Sequence, residues 1–298
     1  MSDTLSPTPS IQLQGIVHPD SYFQIVERNE IDWQLWIEVL QGKVAGAMFR
    51  GALKQEFRQQ ICHNFWHNPS LQQKSDGSLS LDYHYSAMLG PNIGMTVREP
   101  LEVYFDRVEK TSKDVQALFA NTGDFFRFLL GGIKKHLSNQ GLHLRLAEYN
   151  GRKAAEYKMR SWGNITEGFA LVPHEDNRLL RSPHIKDFEV AQLVNGRAII
   201  GVICLENSAG GGDLHYWNIS PNDQTREVLR FKYDGVGYTP ESLADFDEIV
   251  LPIRSGDIYL FDSTKVHAVG PLPKEGGQRS TISWFMGFLD PTTAIYWA

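Results

Sequence analysis

The hydrophobic residues in the first half of the chain recur with the spacing of amphipathic helices. Residues 31–39 and 124–137 each carry apolar side chains three or four positions apart, which places them on one face of a helix. Asp124 follows a glycine and is a suitable N-cap for the second of these helices. Gly131 and Gly132 weaken that prediction, because a glycine in a helix interior costs roughly 1 kcal/mol relative to alanine. The first half is therefore predicted to be a layer of helices.

The second half changes to short β-rich runs that are bounded by glycine, proline, asparagine and aspartate. The predicted strands are residues 168–172, 188–193, 198–205, 213–219, 248–252, 257–261 and 280–289. Their connections are too short for the helical crossovers of a parallel sheet, except at residues 220–247, where we predict an insertion with a short helix. This spacing is typical of an antiparallel sandwich or barrel.

The predicted fold is mainly β with a helical N-terminal layer, and its core is a jelly-roll-like barrel. No linker separates the two halves, so residues 13–298 are predicted to form a single domain. Within it, the helical scaffold covers residues 13–145 and the jelly-roll core covers residues 146–298. Residues 1–12 are predicted to be a flexible tail.

Composition and charge narrow the class of protein. Among 298 residues, 29 Lys and Arg stand against 35 Asp and Glu, so the formal net charge is -6. This mild acidity argues against nucleic acid as a partner. No apolar run approaches the ~20 residues of a membrane-spanning helix, and the N-terminus lacks the basic and apolar regions of a secretory signal. We therefore expect a cytoplasmic protein with a small-molecule substrate and no membrane partner. The oligomeric state stays open, with a homo-oligomer as one option.

His174 and Asp176 directly follow an apolar run and are the first candidates for chemistry. In an extended segment, residues two apart point to the same side, so these two side chains face one way and Glu175 faces the other. An imidazole and a carboxylate are two members of the 2-His-1-carboxylate triad that binds non-haem Fe(II), although His-x-Asp also occurs in many surface turns. His267 follows a tight turn and a predicted strand later in the chain, and it is the candidate for the third ligand.

Arg279 is the candidate for a carboxylate clamp. Fe(II) with two neutral histidines and one carboxylate keeps a net positive charge and open positions, so a dianionic chelating cosubstrate would need a further cation. Arg279 stands at the start of the last predicted strand, and its guanidinium can grip a carboxylate through two hydrogen bonds. Polar Arg279, Thr281 and Ser283 alternate there with apolar residues, so we expect one face towards the barrel and one towards the helices. The alternative for Arg279 is a solvated arginine after a glycine turn.

The ordered set of His174, Asp176, His267 and Arg279 resembles the Fe(II)/2-oxoglutarate-dependent oxygenase superfamily, whose pattern is His-x-Asp, a distal His and then an Arg. The resemblance covers roughly residues 160–298. Within the superfamily, the chain is similar to the branch that contains the N-succinyl amino acid hydroxylases and the related freestanding halogenases. Three segments carry this similarity: SAGGGDLHYWNI at 208–219, GDIYLFDSTKVHAVGP at 256–271 and FLDPTTAIYWA at 288–298.

This resemblance implies that the jelly-roll core is a cupin-like double-stranded β-helix, and that the protein is a dioxygenase that uses Fe(II), 2-oxoglutarate and O2. It implies that His174, Asp176 and His267 bind the iron, and that 2-oxoglutarate chelates the metal and is converted to succinate and CO2. The halogenases replace the carboxylate ligand by Gly or Ala, so the presence of Asp176 implies hydroxylation of an unactivated C–H bond. An amino acid or an N-acyl amino acid derivative is the leading expectation for the substrate.

Further roles follow from the same resemblance. Arg279, with Thr281 on the same face, is expected to bind 2-oxoglutarate, and Arg160 is expected to be a second cation near it. Arg178 and Arg181 lie in the segment that commonly covers the active site of such enzymes, so they are candidates for pairing with an acidic group of the substrate. For each of Arg160, Arg178 and Arg181, a structural or solvated arginine in a loop is the alternative.

Two other functions stay open at the level of sequence. The same cofactors can serve desaturation, demethylation or another oxidation in the tailoring of a natural product, because the pose of the substrate decides the outcome. A cupin-like metal-binding protein without turnover is the alternative from another class. Arg279 argues against it, since such a barrel has no need for a carboxylate clamp.

Overall fold

The computed structural model describes residues 13–71, 87–95, 99–163, 167–228, 237–273 and 277–298, without the side chains of Met95, Asn177, Arg178 and Val228. The predicted tail at residues 1–12 lies outside the described residues. The helices are α1 Trp33–Leu40, α2 Gln55–Trp66, α3 Leu101–Gln116, α4 Phe125–Ser138, α5 Asn177–Leu180, α6 Asp223–Val228 and α7 Pro240–Leu243. The strands are β1 Gly15–Ile16, β2 Ile25–Arg28, β3 Gly46–Phe49, β4 Ala87–Leu89, β5 His143–Leu146, β6 Glu148–Tyr149, β7 Arg152–Lys153, β8 Lys158–Gly163, β9 Leu171–His174, β10 Ile199–Asn207, β11 Leu214–Trp217, β12 Ser220–Pro221, β13 Glu248–Leu251, β14 Ile258–Asp262, β15 His267–Val269, β16 Gln278–Phe288 and β17 Thr293–Trp297.

Two sheets face each other. Among the described residues, the larger sheet has nine strands in the order β2-β3-β14-β10-β16-β17-β5, with β8 pairing to β16 and β4 pairing to β8. The smaller sheet has four strands in the order β13-β11-β15-β9. The ring of Phe261 on β14 lies 5.3 Å from the ring of Tyr216 on β11 and 4.9 Å from the ring of His267 on β15, so the inner faces are in contact. The sheet-rich character of the predicted fold, with helices packed on it, is confirmed.

Strand β16 has the two faces that its sequence predicts. Its apolar side packs against the helices, because the ring of Trp284 lies 6.1 Å from that of Trp36 on α1 and 5.2 Å from that of Phe126 on α4. Its polar side carries Arg279 and Thr281, both buried, and faces the smaller sheet. The helical layer therefore supports the strand that carries the candidate clamp.

Both helices predicted from periodicity are present, within two residues of the predicted bounds. Asp32 caps α1, since its side chain accepts a hydrogen bond from the backbone N–H of Leu35 at 3.0 Å. Asp124 caps α4 in the same way, with the backbone N–H of Arg127 as donor at 3.2 Å. The insertion at residues 220–247 contains the short helices α6 and α7, as expected.

The strand predicted at residues 188–193 is wrong. This segment contains the single 3-10 turn Glu189–Gln192 instead. The carboxylate of Glu189 accepts hydrogen bonds from both terminal nitrogens of Arg145, at 2.7 and 2.6 Å, and from the backbone N–H of Glu148 at 2.7 Å. These contacts fix the segment beside β5 and β6, whereas its apolar and polar residues alternate closely enough to imitate a strand.

The first half of the chain is not only helical. Strands β2, β3 and β4 lie within it and join the larger sheet, where β3 pairs with β14 and β4 pairs with β8. All four residues of β3 are buried, so the strand is too short and too uniformly apolar to show an alternating pattern. Of the helices in the described ranges, none combines the length and the apolar character needed to cross a membrane.

Candidate metal centre

Strands β9 and β15 place two histidines side by side. They pair antiparallel in the smaller sheet, with His174 directly opposite His267. Residues that oppose each other across paired strands project to the same face, and the two imidazole rings accordingly lie 4.3 Å apart between centroids. Two residues distant in the sequence thus present their side chains to the same space between the sheets.

Asp176 joins this pair from the chain just beyond β9. Its backbone N–H donates a hydrogen bond to the carbonyl of Ser263 at 2.9 Å, which anchors the chain as it leaves the strand. One carboxylate oxygen lies 4.0 Å from Nε2 of His174 and the other lies 3.6 Å from Nε2 of His267. The three candidate ligand atoms all lie within 4.8 Å of one another.

The tautomers of both histidines suit metal binding. Nδ1 of His174 lies 2.7 Å from the carbonyl oxygen of Val172, and Nδ1 of His267 lies 2.9 Å from that of Lys265. Because a carbonyl oxygen only accepts, each Nδ1 carries the hydrogen and each Nε2 keeps its lone pair. The two lone pairs are therefore on the ring atoms nearest Asp176.

The carboxylate of Asp176 supports the same interpretation. Its Oδ2 is buried and has no hydrogen-bond partner within the part of the chain that the structure describes. A buried carboxylate oxygen without a donor is costly unless a cation compensates it. The side chains of His174, Asp176 and His267 are only 14, 12 and 5% exposed. Two neutral imidazoles and one carboxylate therefore fit a divalent ion such as Fe(II).

Arg279 lies on the inner face of the larger sheet and is 2% exposed. Its Nη2 donates to the hydroxyl of Tyr259 at 2.7 Å, and its Nε donates to the carbonyl of Gly212 at 3.3 Å. The guanidinium carbon lies 5.4 Å from the ring centroid of Trp162. These partners are neutral, so they fix the direction of the guanidinium, and no carboxylate in the described part of the chain forms an ion pair with it. Such a group can hold a carboxylate.

The structure brings Arg160 and Thr281 together beside Arg279. In the pairing of β8 with β16, Thr281 opposes Arg160 and Arg279 opposes Trp162, so all four side chains share the inner face. Arg160 and Thr281 are both buried, and the guanidinium carbon of Arg160 lies 5.1 Å from the ring centroid of Trp162. The ring of Trp162 therefore contacts both guanidinium groups.

Arg178 and Arg181 are not brought into this arrangement by any described contact. The side chain of Arg178 lies outside the described residues. Arg181 is 43% exposed and forms an ion pair with Asp223 of α6. Its role in substrate binding stays a prediction.

Two functional candidates were missed by sequence reasoning. Lys158, on the inner face of β8, is 2% exposed. Its signal was the alternation of Lys158, Arg160 and Trp162 in a strand that is otherwise buried. The second is Arg226, whose Nε donates a hydrogen bond to the carboxylate of Glu175 at 2.6 Å. Nothing in the local sequence indicates that pair, because the two residues belong to separate elements.

Comparison with protein families matches residues 33–298 to the carrier-protein-independent halogenase WelO5 family. A similar relative is an L-isoleucine 3(1)-dioxygenase of Pantoea ananatis (strain AJ13355), which is 28% identical over 200 residues. The match covers 66% of this chain and 66% of that protein, so the chain spans about two thirds of its relative's length.

Among solved structures, the chain is similar to a novel N-substituted L-amino acid dioxygenase from Burkholderia ambifaria AMMD. The TM-score is 0.60 at 12% identity, with 89% of this chain and 91% of that chain covered. The same dioxygenase in complex with alpha-ketoglutarate gives a TM-score of 0.57 with the same identity and coverage. At this identity the likeness shows a shared fold.

The family match extends over nearly the whole chain, well beyond the metal motif. It confirms the family resemblance that was predicted from the ordered histidines, aspartate and arginine. The chain belongs to the carrier-protein-independent halogenase WelO5 family.

Proposed function

We propose that this enzyme hydroxylates an unactivated C–H bond of an amino acid or an N-acyl amino acid, with release of succinate and CO2. In this proposal His174, Asp176 and His267 bind Fe(II) within a double-stranded β-helix core, and Arg279 binds 2-oxoglutarate. The observation that carries the proposal is the Asp176 carboxylate, whose oxygens lie 4.0 and 3.6 Å from the Nε2 atoms of the two histidines.

Asp176 also favours hydroxylation over halogenation. A halide needs a coordination position that no protein ligand fills, and the family takes its name from enzymes that halogenate. In this chain a carboxylate is already directed at both imidazoles, and it would fill that position. A protein ligand set of three leaves room for the cosubstrate and O2 but removes the place for a halide.

Bound iron supplies the activation of O2 and the oxidising power, and the remaining work belongs to the chain's own residues. The contacts from Nδ1 of each histidine to a backbone carbonyl fix the orientation of each ring. Tyr259 and the carbonyl of Gly212 hold Arg279, so its guanidinium does not reorganise when a carboxylate arrives. The low exposure of the three proposed ligands keeps bulk water away from the reacting bond.

The choice of substrate is supported by what the similar proteins act on. The relative from Pantoea ananatis is named for L-isoleucine, and the dioxygenase from Burkholderia ambifaria is named for N-substituted L-amino acids. Both names share an L-amino acid and differ at its nitrogen. We therefore propose an L-amino acid whose nitrogen is free or acylated, with the oxidised carbon in an aliphatic side chain.

The test is a screen of free and N-acylated aliphatic amino acids against the purified enzyme with Fe(II), 2-oxoglutarate and O2. We expect succinate release that depends on the substrate, and a product that has gained one oxygen atom by mass spectrometry. A product that has lost two hydrogens would indicate desaturation. A chlorinated product in the presence of chloride would indicate halogenation and contradict the role given to Asp176.

The metal assignment is tested by Asp176→Ala, with Asp187→Ala as the control. Removal of the proposed carboxylate ligand should abolish succinate release and product formation. Asp187 is an exposed carboxylate in the same stretch of chain, so its removal should leave both unchanged. Undiminished turnover by a folded Asp176→Ala protein would overturn the assignment.

A further inference from the structure

Lys158 is a buried cation to which the proposed reaction gives no role. It begins β8, its side chain lies on the inner face, and the residue is 2% exposed. Nζ lies 3.4 Å from Oδ1 of Asn92, at the long end of a hydrogen bond, and 4.6 Å from the ring centroid of Phe285. An amide oxygen and an aromatic ring can solvate an ammonium, but neither neutralises its charge.

The surroundings of Lys158 leave a place for an anion. No Asp or Glu among the described residues forms an ion pair with it. Burial and, to a smaller extent, the charge of Arg160 lower the pKa of Lys158 to about 7, and the charge of Asp176 opposes this shift. A buried ammonium without a counterion is costly, so a bound anion that supplies the missing charge would favour the protonated form.

A second buried polar group faces the same place. Ser283 is the direct cross-strand neighbour of Lys158 in the pairing of β8 with β16. Its hydroxyl oxygen is buried and has no hydrogen-bond partner within the described ranges. A hydroxyl in this position can donate to an oxygen of a bound ligand. Lys158 and Ser283 together therefore offer a charge and a hydrogen bond that the chain itself does not use.

The candidate anion site at Lys158 and Ser283 is distinct from the clamp at Arg279. Along β16, Arg279, Thr281 and Ser283 follow one another on the inner face, opposite Trp162, Arg160 and Lys158 of β8. Arg279 and Ser283 are four residues apart, which corresponds to roughly 13 Å along a strand. Tyr259, Gly212 and Trp162 all hold the guanidinium at the Arg279 end of this row. Nζ of Lys158 lies against Phe285, still further from Arg279 along β16, so two anionic groups can be held on the same sheet face.

The inner face of the larger sheet carries Lys158 and faces the smaller sheet, in which His174 and His267 lie. A small molecule held at Lys158 would therefore lie in the space between the two sheets, into which the three proposed ligands project. The charge of Asp176, which raises the pKa of Lys158, agrees with this placement.

We propose that Lys158, held by the amide oxygen of Asn92 and assisted by the hydroxyl of Ser283, binds the carboxylate of the amino acid substrate. This inference rests on the proposed function and deepens it. It assigns Arg279 to the cosubstrate and Lys158 to the substrate. It also restricts the substrates to those with a free carboxylate, and it predicts that amides and esters of the same amino acids bind poorly.

The test compares acids with their carboxamides in two proteins. The probes are L-isoleucine, L-leucine and their N-acetyl and N-succinyl derivatives, each paired with its carboxamide. Binding to the enzyme loaded with Fe(II) and 2-oxoglutarate is measured by anaerobic calorimetry, so the readout does not depend on turnover. For the wild-type protein we expect at least one acid to bind ~100-fold more tightly than its amide, as for other buried charge pairs that lose one partner.

Lys158→Met should remove this preference. The methionine keeps the apolar stem and packs into the same buried position, so the protein is expected to fold. Its affinity for the acid should fall by ~100-fold and approach its affinity for the amide, while its affinity for 2-oxoglutarate stays within about twofold of the wild type. Lys153→Met removes an exposed lysine of the neighbouring strand β7 and is the matched control.

Each contrary result has a definite meaning. Equal affinity of wild type and Lys158→Met for the acid, or equal affinity of acid and amide, overturns the inference while leaving hydroxylation in place. A loss of 2-oxoglutarate affinity in Lys158→Met also overturns it and assigns the lysine to the cosubstrate. If no acid of the panel binds the wild type, both the inference and the proposed substrate class are wrong.

Discussion

The buried arginine on β16 shows how a single residue can be prepared for a ligand. Arg279 is held by a phenol hydroxyl and a backbone carbonyl, which direct the guanidinium and leave its charge available. A lysine in the same position could supply charge but not two parallel hydrogen bonds. The preorganisation of Arg279 for a carboxylate therefore depends on the shape of the guanidinium as well as on its charge.

Arg279→Lys is expected to raise the KM for 2-oxoglutarate by at least ~30-fold, which corresponds to about 2 kcal/mol of lost charge-assisted hydrogen bonding. The KM for the amino acid should change much less. The measurement is succinate release at varied 2-oxoglutarate, with Arg107→Lys as the control, because Arg107 pairs with Glu99 on the surface. An unchanged KM for 2-oxoglutarate would assign the clamp elsewhere, with Arg160 as the next candidate.

At this scale the sequence predicts the residues whose chemistry is rare and misses those whose role depends on burial. His174, Asp176 and His267 are candidates from the sequence because two histidines and a carboxylate in that order suggest a metal site, and the structure brings the three together. Lys158 was not identified, because a lysine is ordinarily solvated and only the fold shows that this one is enclosed. The contact of Arg226 with Glu175 also needed the three-dimensional structure.

At the scale of the elements, the contact between α1 and α4 explains why α4 contains a glycine at position 132, although glycine is a poor helix former. A Cβ placed on Gly132 would lie 2.3 Å from the ring of Trp33, whereas a Cβ on Gly131 would meet nothing within 4 Å. Trp33 has little room to move, since its ring lies 5.8 Å from that of Phe128 and 5.9 Å from that of His136. Glycine at position 132 lowers the helix propensity of α4, but it leaves the space in which the ring of Trp33 packs.

The two adjacent glycines make a matched test. Gly132→Ala should destabilise the protein by about 1–3 kcal/mol through overpacking against Trp33. Gly131→Ala should be neutral or stabilising by up to about 1 kcal/mol, because alanine is the better helix former. Urea or thermal unfolding of both variants measures the difference. A Gly132→Ala protein as stable as Gly131→Ala would show that the ring of Trp33 moves aside freely.

Elements were predictable where their pattern was long and regular. Strand β16 has eleven residues with clear alternation and was found nearly to its ends, and so were α1 and α4. The pattern does not indicate strand β3, which has four buried residues, and it predicts a strand at Glu189, where the structure has a turn. In both failures the deciding contacts are distant in the sequence: β3 is fixed by β14, and Glu189 is fixed by Arg145.

For the whole molecule, the metal motif is linked to the insertion at residues 220–247. Glu175 stands between two proposed ligands and faces away from them, with a side chain that is 0% exposed. Its carboxylate accepts hydrogen bonds from Nε of Arg226 at 2.6 Å and from the hydroxyl of Tyr238 at 3.1 Å. Both donors belong to the insertion, so this segment fixes Glu175 on the side of the chain that is opposite the candidate metal site.

This arrangement predicts that Arg226→Met damages both stability and metal binding. The variant leaves the carboxylate of Glu175 buried without its cation, which costs about 3–5 kcal/mol of unfolding free energy. Because Glu175 adjoins His174 and Asp176, the affinity for Mn(II), used as a stable substitute for Fe(II), should fall by about 10–100-fold. Unfolding in urea and metal titration measure the two effects.

Two further variants test whether the buried pair of Glu175 and Arg226 causes the losses of stability and metal affinity. Asp223→Asn alters the exposed end of the same network, where the carboxylate is 73% exposed, and should cost no more than about 1 kcal/mol. The double variant Glu175→Gln with Arg226→Met removes both charges, so it should recover most of the stability and metal affinity that Arg226→Met loses. If Arg226→Met and Asp223→Asn weaken the protein equally, the buried pair does not connect the insertion to the metal site. If the double variant is as weak as Arg226→Met, the loss comes from the packing of Arg226 rather than from the unpaired carboxylate.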